Sequence, residues 1–290
     1  MARLGILLVV ALSIAGLLLG AIGAALLGND PFIRVPEVHL PPQEVFTVGG
    51  FSVTNTLLSA WLTTIVVVLL FGLGTRRMQL VPGRLQGAIE VLLGALDGFF
   101  QSVVGERYGR RFFPLLATIF IFVAFNAWMA LLPIYPTVGL KEEGASLLWD
   151  PVKVHVLRSA GTDINMPMAL AIISFFFVEG WGFRVHRFGY LKEFIRFRSP
   201  IEFFIGVLEL LSHFIRLISF TFRLFGNMLA GEIVLVMVTF LLVFIAPVAF
   251  YMLEILVGGV QALIFMGLTL VFALMAVAPH GSEHEGAAVH

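Results

Sequence analysis

The chain has 290 residues, 59% of them hydrophobic and only 12% charged, with a mean hydropathy of +1.01. A soluble domain is nearer half apolar and a quarter charged, so this composition is that of a membrane protein. Its 18 basic and 18 acidic residues cancel, which removes any charge-based case for nucleic acid, and the lack of cysteine excludes disulfides, thiolate metal sites and cysteine nucleophiles. No His-Glu-x-x-His spacing occurs and no Gly-rich phosphate loop follows a predicted strand, so no metal or nucleotide cofactor is expected. No solenoid repeat is visible.

In chain order, residues 4–27 form an apolar run behind Arg3 that is long enough to cross a bilayer. It is either a retained helix or a signal segment cleaved near Ala21-Ile22-Gly23, and residues 1–28 are set apart on that ground. Residues 29–53 carry Pro31, Pro36, Pro41 and Pro42 and read as an extended segment outside the membrane. A membrane domain then runs over 54–280, with 281–290 as a polar tail. Within the domain, 54–73 is a span closed by Gly74 and Arg76-Arg77. Pro82 suits a helix start, and the stretch to about Val104 is amphipathic, with Glu90 and Asp97 on one face, as expected of a helix lying along the interface.

The charged segment 106–111 is expected to end that helix, with a further span at 112–132 closed by Pro133. A polar loop over 134–165 precedes a span at 166–183. The longest element covers 201–246 and is interrupted at Pro247, and the last run is 248–278. The fold class is therefore all-α, with five or six transmembrane helices, a long and steeply tilted helix hairpin, and one interfacial helix. Lys and Arg number six in 74–111 and five in 184–198, against Arg34 alone, and Lys141, Lys153 and Arg158, in the opposite loops. Loops rich in Lys and Arg stay cytoplasmic, which places the C-terminus in the cytoplasm.

The 201–246 element would be about 69 Å of helix, against a bilayer core of about 30 Å. It is either one inclined helix or a hairpin. Glu202, Glu209, Arg216 and Arg223 recur every seven residues, with Ser212, Ser219 and Asn227 near the same stripe, which favours one helix with one wet face. The serines and Asn227 equally suit helix–helix hydrogen bonding. Arg223 has no acid at i±3 or i±4, where Ser219, Phe220, Gly226 and Asn227 stand. A buried cation of this kind needs a partner elsewhere or water. In the last run Glu254 and Gln261 are also seven apart. For an antiparallel pair of helices, residues at equal depth share a constant sum of positions. Arg223 with Gln261 gives 484, and Glu232 with Glu254 gives 486. Two neighbouring carboxylates at one depth suit proton uptake from the outer side. Glu209, Glu202 and His213 could line a second path, open to the cytoplasm, with Arg223 separating the two.

At Arg223-Leu224-Phe225-Gly226-Asn227-Met228-Leu229-Ala230-Gly231-Glu232 the sequence resembles the a subunit of the F-type ATP synthase membrane sector. The stretches Val81-Pro82-Gly83-Arg84-Leu85-Gln86-Gly87-Ala88-Ile89-Glu90, Thr162-Asp163-Ile164-Asn165 and Gln261-Ala262-Leu263-Ile264-Phe265-Met266 extend the likeness over about 45–278. The resemblance implies that Arg223 faces the proton-carrying carboxylate of a rotating c-subunit ring and blocks a short circuit between two offset half-channels. It further implies that Asn227, Glu232, Glu254 and Gln261 serve the outer side and Glu209 the cytoplasmic side. A stationary, non-catalytic subunit is implied, binding no nucleotide, with b-type peripheral stalk subunits as further partners in a bacterial plasma membrane. Both Glu232 and Glu254 are glutamate where the family commonly pairs glutamate with histidine. The family's asparagine six residues before Pro133 would fall at Ala127, one residue from Asn126. Residues 4–27 lie outside the family's common core.

Two other classes compete. An anion transporter with Arg223 in its site would show inverted repeats or broken helices, and neither is visible. A purely structural anchor leaves Arg223, Glu232, Glu254 and Gln261 unexplained.

Overall fold

The computed structural model describes residues 41–140, 154–187, 200–241 and 246–278. The 4–27 run, residues 29–40 of the 29–53 segment, the cations Arg34, Lys141, Lys153, Lys192, Arg196 and Arg198, and the 281–290 tail lie outside the described residues. The elements are β1 (Glu44–Val48), β2 (Phe51–Thr54), α1 (Asn55–Thr75), α2 (Arg84–Val104), α3 (Glu106–Ala130), the single turn α4 (Ile134–Thr137), β3 (Gly139–Leu140), β4 (Val154–His155), a 3-10 turn at Ala160–Thr162, α5 (Asn165–His186), α6 (Pro200–Leu241) and α7 (Ala246–Val277). Among the described residues, α1, α2, α3, α5, α6 and α7 are long and apolar enough to cross a membrane. The protein is an all-α membrane protein.

The long element is a single helix. α6 runs unbroken for 42 residues, through Arg223, Gly226 and Gly231, which is about 63 Å at 1.5 Å per residue. Pro247 falls in the first turn of α7, where its missing N–H has no intrahelical acceptor to satisfy. One expected boundary moves. The charged segment 106–111 does not end the preceding helix but opens α3. The chain breaks instead at Gly105, whose φ of +78° suits glycine, and Glu106 then sits favourably in the first turn of a new helix. α2 begins at Arg84 with Gly83 as its N-cap, so Pro82 precedes the cap. By length and composition α2 is also able to span.

The described residues form two compact units. One draws on the described residues up to Thr64, on Ala124–Asp163 and on Phe225–Gln261. Here β1 and β2 pair antiparallel around Gly49-Gly50, both at positive φ, as a two-residue hairpin turn requires. Thr54 caps α1 by accepting the Leu57 N–H at 3.3 Å. The first turns of α1 then anchor the segment before α5. Asn55 Nδ2 donates to the His155 carbonyl at 3.2 Å, Thr56 Oγ1 donates to Asp163 Oδ2 at 2.9 Å, and Ser59 Oγ accepts the Arg158 N–H at 3.0 Å. Asp163, a member of the resemblance motif, therefore holds a strut. Helix packing is close at Gly258, where an added Cβ would stand 2.7 Å from the Cβ of Ala127.

The second unit comprises Ile65–Val123, Ile164–Leu224 and the described residues from Ala262 onward. Its core joins Leu96 and Phe100 of α2, Phe112 and Leu116 of α3, Val178 of α5, and Met266 and Leu270 of α7. Phe112 meets Phe177 and Trp181 edge-on, with centroids 5.5 and 5.1 Å apart. The α1–α2 connection is clamped by Gln86, which donates to the Gln79 carbonyl and accepts the Gln79 N–H at 3.0 and 3.1 Å. Large apolar side chains remain exposed on α1 (Ile65, Val68, Leu69) and on α6 (Phe214, Ile218, Phe222). In a bilayer such surfaces face lipid or another subunit.

Candidate functional site

The polar residues singled out in the sequence are divided between the two units. In the first unit, Asn227 Nδ2 donates to Gln261 Oε1 at 2.5 Å. Gln261 is almost completely buried, and its own amide nitrogen finds no partner among the described residues. Glu254 is partly buried on α7. Its carboxylate lies against the backbone of Gly231, so closely that a Cβ at that position would overlap it. Asn227 with Gln261 sums to 488 and Gly231 with Glu254 to 485, within one helical turn of the register expected from spacing.

Glu232 has a partner that spacing did not indicate. Arg158, 74 residues away, directs its Nε–H between the two carboxylate oxygens at 3.1 and 3.3 Å. Its Nη1 also donates to the Pro41 carbonyl at 3.3 Å. The pair is unequally buried, with side chains 9% exposed for Arg158 and 31% for Glu232. The Arg158 side chain is thus sheltered while that of Glu232 stays partly exposed. Nearby in sequence to the family's asparagine position, Asn126 is 1% exposed, with neither side-chain polar atom partnered among the described residues. Ala127, by contrast, is spent on packing against Gly258. A buried amide without a protein partner costs about 1–3 kcal/mol unless water reaches it, so Asn126 is the polar member of that pair of positions.

In the second unit, Arg223 is partly exposed on α6, and no ion pair holds it among the described residues. Ser219 and Glu209 are partly exposed on the same helix. The side chain of Glu202 lies outside the described residues. His213 directs Nδ1 at Glu179 Oε1 of α5, 2.5 Å away, with side chains only 13% and 12% exposed. Arg216, one turn further along α6, stacks its guanidinium 3.8 Å from the ring centre of Phe272. It borders a small cavity lined also by Ser174, Val178, Leu217 and Phe220. Ser174 Oγ lies 2.7 Å from Thr269 Oγ1 in a buried contact.

Three participants escape a reading by spacing: Arg158, Glu179 and Gly231. Glu179 carried a signal, being the single charged residue in the apolar run 166–183. Arg158 carried none beyond its charge, because its partner is chosen by tertiary structure. Gly231 is visible only once Glu254 is placed.

A chain of six long apolar helices among its described residues that keeps ionisable side chains on them is a multi-pass membrane protein. The family model described as ATP synthase A chain matches residues 57–273. A protein of Gloeobacter violaceus named ATP synthase subunit a is 35% identical over 263 residues, covering 90% of this chain and 98% of that protein. Proteins of the same name from Helicobacter acinonychis and Helicobacter pylori are 31% and 32% identical over 242 residues, covering 81% of this chain and 96% of theirs. The chain belongs to the ATP synthase A chain family.

Proposed function

We propose that this chain is the stationary proton-conducting subunit a of a bacterial F-type ATP synthase, acting in the plasma membrane beside a ring of c subunits. The observation that carries the proposal is the division of polar and ionisable side chains along α6 and its neighbours between the two units. Asn227, Glu232, Glu254 and Gln261 belong to one unit, and His213, Ser219 and Glu209 belong to the other with Arg223. In this reading the first cluster lines a half-channel open to the outer side and the second a half-channel open to the cytoplasm. The bias of Lys and Arg supports that orientation, with a cytoplasmic C-terminus.

Arg223 stands in the sequence between the two sets. A permanently charged guanidinium repels a proton moving directly from one half-channel to the other, and it attracts the ionised carboxylate of an arriving ring subunit. The proton must then ride the ring. Each proton crossing 100 mV releases about 2.3 kcal/mol, which the ring delivers as torque to a separate catalytic sector. The exposed apolar face of Phe214, Ile218 and Phe222 beside Arg223 supports a neighbouring helix there. The b-type stalk subunits would hold this chain against that torque.

The test is Arg223→Ala in the complete complex, with ATP synthesis driven by an imposed proton gradient in membrane vesicles. Assembly should survive and synthesis should vanish. Synthesis at the wild-type rate would overturn the reading.

A further inference from the structure

Glu179 is the one acid in the middle of α5, and its side chain is almost removed from solvent. Burying a carboxylate is costly unless a partner compensates it. The partner here is an imidazole from α6, with Nδ1 2.5 Å from Oε1. An apolar contact could join α5 to α6 at least as firmly, since replacing a buried ion pair by well-packed hydrophobic residues is often neutral or stabilising. A pairing chosen for strength alone would also suit arginine, as Arg158 does for Glu232. Histidine differs because it takes up and releases a proton near neutral pH. At hydrogen-bond distance the shared proton can sit on Nδ1 or on Oε1, and when Nε2 also carries a proton these two positions are imidazolium with carboxylate and imidazole with carboxylic acid.

The surroundings continue the polar line. His213 lies one turn from Glu209 and one turn from Arg216 on α6. Arg216 opens on the small cavity beside Ser174, whose α5 lining includes Phe175 and Val178 immediately before Glu179. The stripe on α6 is therefore joined to α5 at a titratable contact.

We propose that Glu179 and His213 form a proton-exchanging pair, making Glu179 a further proton-handling residue of the half-channel to which His213 belongs. The proposal rests on the half-channel reading above. In one direction the imidazolium gives its Nδ1 proton to Glu179 Oε1, leaving a neutral imidazole and a carboxylic acid. The acid releases that proton to water, and Nδ1, left bare while Nε2 keeps its own proton, takes the next proton from water on the α6 side. The pair returns to its starting charge after each passage. Reversal of the driving force reverses the order.

The complete complex in inverted membrane vesicles tests this with Glu179→Gln, His213→Gln, their double variant and the exchanged pair E179H/H213E. The amide of Glu179→Gln still reaches the ring nitrogen, so the helix contact is kept while the titrating oxygen is lost. Each single variant should co-purify with the other subunits and lose at least about tenfold in ATP synthesis, the lower end of what a positioned acid or base contributes being larger still. The double variant should be no slower than either single, and the exchanged pair should recover to within about threefold of wild type. Wild-type synthesis in assembled Glu179→Gln would overturn the proposal, as would an assembled exchanged pair that stays as slow as the singles. Failure of both Glu179→Gln and the exchanged pair to assemble would assign the contact to folding and equally overturn it. Arg223→Ala separates the two levels. If that variant still synthesises ATP, the half-channel reading falls; if it does not while Glu179→Gln behaves as wild type, only the pair is lost.

Discussion

Among the described residues each unit sets an acid against a nitrogen base, and the bases differ. Glu232 meets Arg158, whose guanidinium keeps its charge at any physiological pH and engages both carboxylate oxygens and a backbone carbonyl at once. Glu179 meets His213, a partner able to lose its charge. The first pair fixes a charge in place and seats the segment before α5 over α6. The second lets a charge disappear and return. The same two ingredients, an acid and a base within hydrogen-bond reach, therefore serve position in one unit and exchange in the other.

The comparison breaks most readily at Arg158. Arg158→Ala strands the Glu232 carboxylate and removes the tie to Pro41. Breaking a fully buried pair costs roughly 3–5 kcal/mol, and with Glu232 partly solvated the loss should be nearer about 2 kcal/mol. It should appear as a lower unfolding temperature of the solubilised complex together with slower synthesis. Adding Glu232→Gln should restore most of the stability, because no unpaired charge remains. Arg158→Lys keeps the charge but not the fork, and should fall between. If the Ala variant is as stable as wild type, the pair does not seat the segment, and the contrast with Glu179 loses its fixed member. Glu179→Gln should behave in the opposite sense, with synthesis lost and stability retained.

The helices were largely legible from hydrophobic runs. The expected spans 54–73, 166–183 and 248–278 correspond to Asn55–Thr75, Asn165–His186 and Ala246–Val277. The start of α3 is not legible this way, because hydropathy treats charge as a boundary whereas the boundary is a backbone event at Gly105. The candidate site was legible where chemistry repeats along one helix. Arg223, Asn227 and Glu232 on α6, and Glu254 and Gln261 on α7, show themselves by spacing alone. Partner choice was not legible. Spacing sets Glu232 level with Glu254, and its ion pair with Arg158 depends on a segment held by Asn55, Thr56 and Ser59. Local pattern carries no trace of such a contact.

A smaller perturbation sharpens what Glu254 does in the first unit. Gly231→Ala puts a methyl group where the Glu254 carboxylate lies. The obstructed group is the end of a flexible side chain, so it can swing aside and stability should change by less than about 1 kcal/mol. Its position should not survive. Displacing a reacting group by about 1 Å can cost up to a hundredfold, and a loss of roughly tenfold in synthesis is expected. Gly226→Ala supplies the control, because nothing lies within 4 Å of a Cβ there. If both alanines leave synthesis unchanged, the placement of Glu254 against Gly231 has no bearing on proton movement.

The smallest expected effect concerns a contact with no charge at all. Thr269 donates its single hydroxyl proton to the Phe265 carbonyl at 2.9 Å, so Ser174 must be the donor in the 2.7 Å contact between the two hydroxyls. Ser174→Ala then removes one hydrogen bond but leaves the Thr269 proton satisfied, which should cost about 1 kcal/mol. The double variant Ser174→Ala with Thr269→Val deletes both partners and should be closer to wild type than the single. Thermal unfolding of the solubilised complex measures the stability, and synthesis in vesicles measures the function. A loss confined to stability places this contact with Arg158 and Glu232, among the fixed parts. A drop in synthesis larger than the drop in stability places it with Glu179 and His213, where a hydroxyl beside the Arg216 cavity would hand protons along α5.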